Sequence, residues 1–341
     1  MPSTALQTVT LGGDRDLAAA LGEVPAQPGV AQILGPDGRN LVIGRASNLR
    51  RWAASHLGSG PPPKKGERPR TDLRPLATAI RHAATRSAFQ QRLLYERLMA
   101  RHVPLRARGD LHPPASLHLD TSERFPRVSV RSGWMPPGPG SYGPFRDRGR
   151  AHQALVAVHK RFPLRPCDYS FEPRPDLPLG LGCLYFQVRT CAAPCVQRTG
   201  EEEYRQLAGQ AARFLGSPWE RPAEAGEHIP GWVGAENGSR AVIVERGPDG
   251  VELHPVRDWA VLEDAAVRAP EADLDEALRQ LRWDAPVGPR DDRAWLLAWL
   301  HTPRPEAVFV PLWTTEDPRA IAVAVRAALG LPPDAGTLAS T

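Results

Sequence analysis

A chain of 341 residues, 41% hydrophobic and 24% charged, has the make-up of a globular protein of two or three domains rather than a disordered tail or a disulfide-dense miniprotein. No apolar run approaches the ~20 residues of a membrane span, and the first 16 residues lack the basic start and apolar core of a secretion signal, so a cytoplasmic location away from membranes is expected. The net charge of +5 conceals an asymmetry: residues 1–200 hold 29 Lys+Arg against 14 Asp+Glu, and residues 201–341 hold 14 against 24, a basic front suited to a polyanion such as DNA or RNA.

In chain order, Val30 to Leu34 and Asn40 to Ile43 are two short apolar runs joined by Gly35-Pro36-Asp37-Gly38, the pattern of a β-hairpin. Ser47 stands as the N-cap of a helix over 48–56, and 58–70 is a breaker-rich basic loop. Residues 73–102 read as one or two helices, with Phe89, Leu94 and Leu98 on the apolar face. Beyond Pro104 come a strand at 127–131, a Pro/Gly-rich loop at 135–143 and helices at 150–162 and 201–215. A hairpin is expected at 240–253, then helices at 273–281 and 292–300, a strand at 307–310 and a last helix at 318–329. The pattern is a multidomain α+β or α/β chain. Trp295 and Trp299, at i and i+4, read as helix-face core.

All four cysteines, Cys167, Cys183, Cys191 and Cys195, fall within 29 residues as C-x15-C-x7-C-x3-C. Four thiols this close in a chain without a secretion signal fit a metal or cluster site better than disulfides, and their chemistry leaves structural zinc and an iron–sulfur cluster both open.

Around them the sequence becomes specific. Phe125-Pro126-Arg127-Val128, Tyr142-Gly143-Pro144-Phe145, the run from Arg161 to Cys167, Cys183-Leu184-Tyr185, the run from Cys191 to Val196, Glu201 to Arg205 and Phe214-Leu215 follow one another as in the UvrC excinuclease family, which this stretch of about 90 residues resembles. The resemblance implies a [4Fe–4S] cluster on the four cysteines and a link to nucleotide excision repair.

The same family begins with a GIY-YIG nuclease, and residues 28–57 resemble that domain through Pro28-Gly29-Val30-Ala31 and the run from Val42 to Arg51. Its chemistry requires tyrosine hydroxyls near the scissile phosphate, a cation on the charged intermediate and a carboxylate for a divalent metal. Carried onto this chain, the two tyrosine positions are Ala31 and Val42, the helix arginine is Trp52 and the metal-binding glutamate is Tyr95. Only the basic residue after the glycine remains, as Arg45; Arg51 and Glu96 are neighbours of lost positions and possible remnants. The expectation is a retained scaffold without catalysis, with Mg needed only by an active nuclease. The alternatives are a single-incision endonuclease using Glu96 and Arg51, and a cluster-based redox or interaction protein.

Nucleic-acid contacts are expected from Arg45, Arg50 and Arg51, from Lys64, Lys65, Arg68 and Arg70, and from Arg146, Arg148 and Arg150. The resemblance implies a degenerate GIY-YIG-like α/β domain over 1–105 and a cysteine-cluster domain over 106–218, followed by a C-terminal α/β domain over 231–341. That last part is similar to the segment before the family's second nuclease domain, whose clustered aspartates are absent. No acidic helical hairpin of the kind that binds the family's partner UvrB is seen, with only 217–230 available, so a UvrB-type partner is not expected.

Overall fold

The structure, a computed structural model, describes residues 5–12, 16–58, 71–134, 140–176, 183–216, 240–247, 249–262, 265–285, 292–300, 307–313 and 317–332. The chain divides into two compact units: Met1–Arg108 with Glu245–Leu253 and Glu263–Ala277, and Gly109–Val244 with His254–Leu262 and Leu278–Thr341. Among the described residues no helix is long and apolar enough to cross a membrane.

The first unit is built on β1 (Gln7–Thr10), α1 (Leu17–Glu23), β2 (Gly29–Leu34), β3 (Asn40–Ala46), α2 (Leu49–His56), β4 (Ala79–Ala84) and α3 (Ala88–His102). The strands form an antiparallel sheet in the order β1–β4–β2–β3. The expected hairpin is β2–β3, closed by a turn in which Asp37 and Gly38 both have positive φ. Every residue of β2 is buried, as befits an interior strand.

Two sequence expectations need correction here. Residues 79–84 are a strand, not helix: β4 lies between β1 and β2, where Ile80 pairs with both Val9 and Ile33 and closes the core. Its Ala-rich composition has weak strand propensity, and tertiary pairing decides its conformation. The N-cap of α2 is Asn48, not Ser47; the Asn48 side chain accepts from the Arg51 amide at 2.9 Å.

Helix α3 is fixed twice at its start. The Ser87 side chain accepts from the Gln90 amide at 3.0 Å, and the buried Glu245 carboxylate accepts from the Phe89 amide at 3.0 Å and from the Ser87 hydroxyl. A carboxylate there satisfies free first-turn amides and complements the helix dipole.

The second unit contains β5 (Ala115–Leu119), β6 (Val128–Ser132), β7 (Ser141–Phe145), α4 (Arg148–Arg161), α5 (Leu184–Gln187) and α6 (Glu201–Gly216). Its antiparallel sheet has the order β6–β5–β7. The core joins Leu117 and Leu119 of β5, Val158 of α4, Phe162, Leu164, and Tyr204 and Leu215 of α6. Asp147 caps α4 by accepting from the Arg150 amide at 2.9 Å.

Residues 240–313 supply a third sheet from β8 (Arg240–Gly247), β9 (Gly250–Arg257), β10 (Ala260–Val261), β11 (Val267–Ala269) and β12 (Ala307–Trp313), in the order β10–β9–β8–β12 with β11 also on β9. The helices are α7 (Leu274–Arg279), α8 (Arg293–Leu300) and α9 (Pro318–Leu329). Trp295 and Trp299 of α8 are buried, as their spacing implies.

Candidate functional site: the cysteine segment and the nuclease-like sheet

Backbone hydrogen bonds draw the cysteine segment together. The Ala192 amide donates to the Pro163 carbonyl at 2.7 Å, the Arg174 amide to the Cys195 carbonyl at 3.0 Å, and the Gln197 side chain to the Pro173 carbonyl at 3.2 Å. Arg165 donates to the carbonyls of Phe125 (2.7 Å), Cys167 (3.2 Å) and Tyr169 (2.9 Å). The Tyr204 hydroxyl accepts from the Arg165 amide at 2.6 Å and donates to the Pro126 carbonyl at 3.0 Å. The loop at 165–174 is therefore stitched to the turn at 191–197. In that turn Ala193 and Gln197 take the left-handed conformation, at φ 53° and 57°, which side chains other than glycine adopt at a cost.

All four thiols are free of disulfides. The Cys191 thiol is pushed up to about 11, first by burial and to a lesser degree by the other three cysteines, against the Ala193 amide, 3.3 Å from its Sγ, which lowers it. Cys195 is likewise raised, first by burial and then by Cys167 and Cys183. Cys167 and Cys183 thus lie near enough to Cys191 and Cys195 to bear on their charge. Among the described residues, no group of three or more His, Cys, Asp or Glu is arranged to hold a metal ion. Three of the thiols, those of Cys167, Cys191 and Cys195, lie on the two stitched loops and Cys183 directly precedes α5; thiols are the donor type that a thiophilic centre takes, and binding one would displace their protons.

On the first unit's sheet, Ala31 stands opposite Gly44 on β3 and His82 on β4, and all three share a face. Trp52 of α2 covers that face: a Cβ at Gly44 would come within 2.7 Å of the indole. The ring also lies 4.4 Å from that of His56. Ala31 is fully buried and Trp52 nearly so, while Val42 is partly buried against the same core. The three positions where the family resemblance calls for Tyr, Tyr and Arg are therefore packed as apolar core.

Alternation along β3 turns Arg45 to the opposite face. Its guanidinium lies 5.1 Å from the centre of the Tyr95 ring on α3, and the guanidiniums of Arg108 and Arg92 lie 5.6 and 6.0 Å from it. Glu96 is buried and accepts from Arg92 at 2.6 Å and from both terminal nitrogens of Arg108. Arg51 is exposed on α2, the helix that covers the other face.

The remaining basic residues are used unequally. Arg50 donates through Nε to the Val24 carbonyl at 2.8 Å and through Nη2 to the Gly22 carbonyl at 3.0 Å, tying α2 to the end of α1. Arg146 and Arg148 are exposed and Arg150 is half-buried at the start of α4. Lys64, Lys65, Arg68 and Arg70 lie outside the described residues, as does the 217–230 stretch considered for UvrB docking.

The family model for the UvrC/Cho excinuclease middle domain matches residues 115–214, the stretch that holds every cysteine. This stretch is similar to a UvrC/Cho middle domain. The chain is similar to the UvrABC system protein C of Rhodospirillum rubrum, 29% identical over 215 residues, which is 63% of this chain and 33% of that protein. The corresponding proteins of Sphingopyxis alaskensis (32% over 206 residues; 60% and 31%) and Novosphingobium aromaticivorans (33% over 193 residues; 56% and 28%) are similar to it as well. The chain spans about a third of the length of these curated relatives.

Two features of these sites were not read from the sequence. Within the matched stretch, Tyr169, Leu184, Tyr185, Phe186 and Val188 are exposed around the cysteine loops. Near the sheet, Arg92 and Arg108 join Tyr95 and Glu96. Their i, i+4 spacing signals the Arg92–Glu96 pair, but nothing local signals Arg108, which follows α3.

Proposed function

We propose that this chain is a UvrC-like nucleic-acid-binding protein of DNA repair that carries a [4Fe–4S] cluster on Cys167, Cys183, Cys191 and Cys195 and does not cleave DNA at its nuclease-like sheet. The observation that carries this reading is the pairing of a family-matched middle domain holding all four cysteines with a sheet whose Ala31, Val42 and Trp52 are packed as core.

Four thiolates on one zinc ion would stand about 3.8 Å apart, given a Zn–S bond near 2.3 Å. In a cubane each thiolate binds a different iron, so wider sulfur spacing is accepted; the resemblance of the cysteine block to the UvrC family is what favours the cluster over zinc. A bound cluster would supply iron–thiolate bonds that cross-link the 165–174 and 191–197 loops, together with a redox couple. The chain's own residues shape the site: Arg165 holds the Cys167 loop, Pro163 and Arg174 hold the Cys191 turn, and the Ala193 amide points at Cys191 Sγ.

Cleavage fails for a different reason. Neither Ala31 nor Val42 carries a proton-transferring group, and the Glu96 carboxylate is engaged by two guanidiniums instead of being open to a metal. Phosphate binding requires only cations, and exposed Arg45, Arg51, Arg146 and Arg148 supply them.

Anaerobic purification with iron, sulfide and zinc analysis, followed by DNA binding and cleavage on the same sample, tests all parts. Expected are about four iron and four sulfide per chain, salt-sensitive DNA binding and no nicking with Mg or Mn. Loss of Cys191 to Ser is expected to remove the iron and cost the second unit its solubility. Zinc in place of iron would replace the cofactor assignment. Metal-dependent nicking abolished by Glu96→Gln would establish a displaced-site endonuclease. DNA affinity insensitive to salt would leave the redox or interaction reading.

A further inference from the structure

We infer that Arg45, stacked on Tyr95, is a metal-independent subsite for a backbone phosphate of nucleic acid. This rests on the nucleic-acid-binding reading above and assigns it a specific anchor.

The Tyr95 ring gathers three guanidiniums, those of Arg45, Arg108 and Arg92, at 5.1, 5.6 and 6.0 Å from its centre. Arg92 and Arg108 share the buried carboxylate of Glu96. Arg45 differs: it is exposed and has no carboxylate partner among the described residues. Its backbone is held by pairing with Val30 in the sheet, and its far end is held by the ring. The guanidinium is thus positioned in advance, with its N–H donors left for an incoming acceptor.

The identity of residue 95 decides what that acceptor is. A carboxylate there would stand among three guanidiniums and neutralise them internally. The tyrosine ring attracts the guanidiniums through its quadrupole but carries no charge, so the positive potential persists. A planar guanidinium fork matches phosphate oxygens bidentately. Strand β3 is the edge of its sheet, so an extended polymer can approach Arg45 along it. Residues 1–108 hold 17 Lys+Arg against 7 Asp+Glu, which favours a polyanion over an isolated acidic group.

Tyr95 is a positioning residue in this scheme, and the salt slope separates that role from simple packing. The 341-residue chain is titrated with labelled duplex DNA by fluorescence anisotropy between 50 and 200 mM salt, in EDTA. Chelation is expected to leave affinity unchanged. Arg45→Ala is expected to lower affinity and reduce the log–log salt slope by about 0.9, the loss of one phosphate contact. Tyr95→Leu should lower affinity about 2–5-fold, the equivalent of one exposed cation–π contact, with a shallower slope. Tyr95→Phe, which keeps the ring, should bind as the parent does. Thermal melts of each variant identify any that fail to fold, and Tyr95→Phe against Tyr95→Leu remains decisive.

If the parent binds DNA but neither Arg45→Ala nor Tyr95→Leu changes the slope, this subsite is wrong while the broader reading stands. If the parent does not bind DNA at all, the broader reading falls first. Binding abolished by EDTA would overturn metal independence. Arg45-dependent binding of inorganic phosphate at micromolar concentration, without affinity for DNA, would reassign the site to a free anion.

Discussion

The sheet of the first unit and the cysteine segment of the second are built in opposite ways. Around Ala31 and Gly44 the backbone is regular antiparallel strand held by ladder pairing, and the side chains at the family's catalytic positions contribute only volume. Around Cys167 to Cys195 the backbone is mostly irregular, with Ala193 and Gln197 in the left-handed region, and four sulfurs share its loops. A site borne on a self-sufficient sheet can exchange its reactive groups for packing and keep its fold. With the proposed cluster bound, the cysteines would help to organise the loops that carry them, and that exchange would cost the second unit more.

The largest effect that would break this comparison is expected at Glu96. Its carboxylate sits between Arg92 and Arg108, with Glu96 and Arg108 each only 3% exposed. Glu96→Ala leaves both guanidiniums without it and is expected to destabilise the first unit by about 3–5 kcal/mol. Urea unfolding, read by amide exchange on α3, checks this. A double variant, Glu96→Leu with Arg108→Met, should recover most of the loss, because an apolar pair of similar volume carries no desolvation cost. Full stability in Glu96→Ala would mean that the carboxylate is not structural and would make it a candidate metal ligand again.

A smaller effect is expected from restoring a family residue. Ala31 is fully buried on an interior strand, beneath the face that Trp52 covers. Ala31→Tyr should overpack that core and cost about 1–3 kcal/mol without creating cleavage. A stable Ala31→Tyr protein would show that the face is emptier than a packed core and that the scaffold still accepts its former side chain.

What was legible in the sequence follows the same division. The β2–β3 hairpin was legible because its turn residues and apolar runs are local signals. That Ala31, Val42 and Trp52 are apolar was legible because it is a matter of residue type, and their packing in the core agrees with it. Strand β4 was not, because residues 79–84 form a strand only by lying between β1 and β2, a non-local pairing that composition does not encode. Asn48 displaced Ser47 as the cap because either residue can cap and the first helical turn decides which does. The role of Tyr95 was hidden for the same reason as β4: Arg45 and Arg108 reach the ring from β3 and from beyond α3. The clustering of the cysteines was plain, whereas the loop contacts that bring Cys167 to the Cys191–Cys195 turn run through backbone groups that no side-chain pattern announces.

The smallest expected effect concerns acidity, and it sharpens the contrast at the level of the cores. His82 faces the same side of the sheet as Ala31 and is buried, and burial alone pulls its pKa below the ordinary 6.5. In the second unit, burial likewise lowers His159 on α4, whose Nε2 has no hydrogen-bond partner among the described residues. In each case the folded state holds a neutral imidazole while the unfolded chain takes up a proton below about 6.5. Stability from this source is therefore intact above that value and is lost as pH falls through it towards the lower folded value. Thermal melts at pH 7.5, 6.5, 5.5 and 5.0 should show both units weakening on the acid side. His82→Leu should flatten the acid limb for amides of the first unit only, and His159→Leu for those of the second only, as read by hydrogen exchange. If His82→Leu left the acid limb of the first unit unchanged, the proton would be taken up elsewhere. The face that Ala31 shares with Trp52 would then be wet enough to solvate an imidazolium, contrary to a packed apolar core.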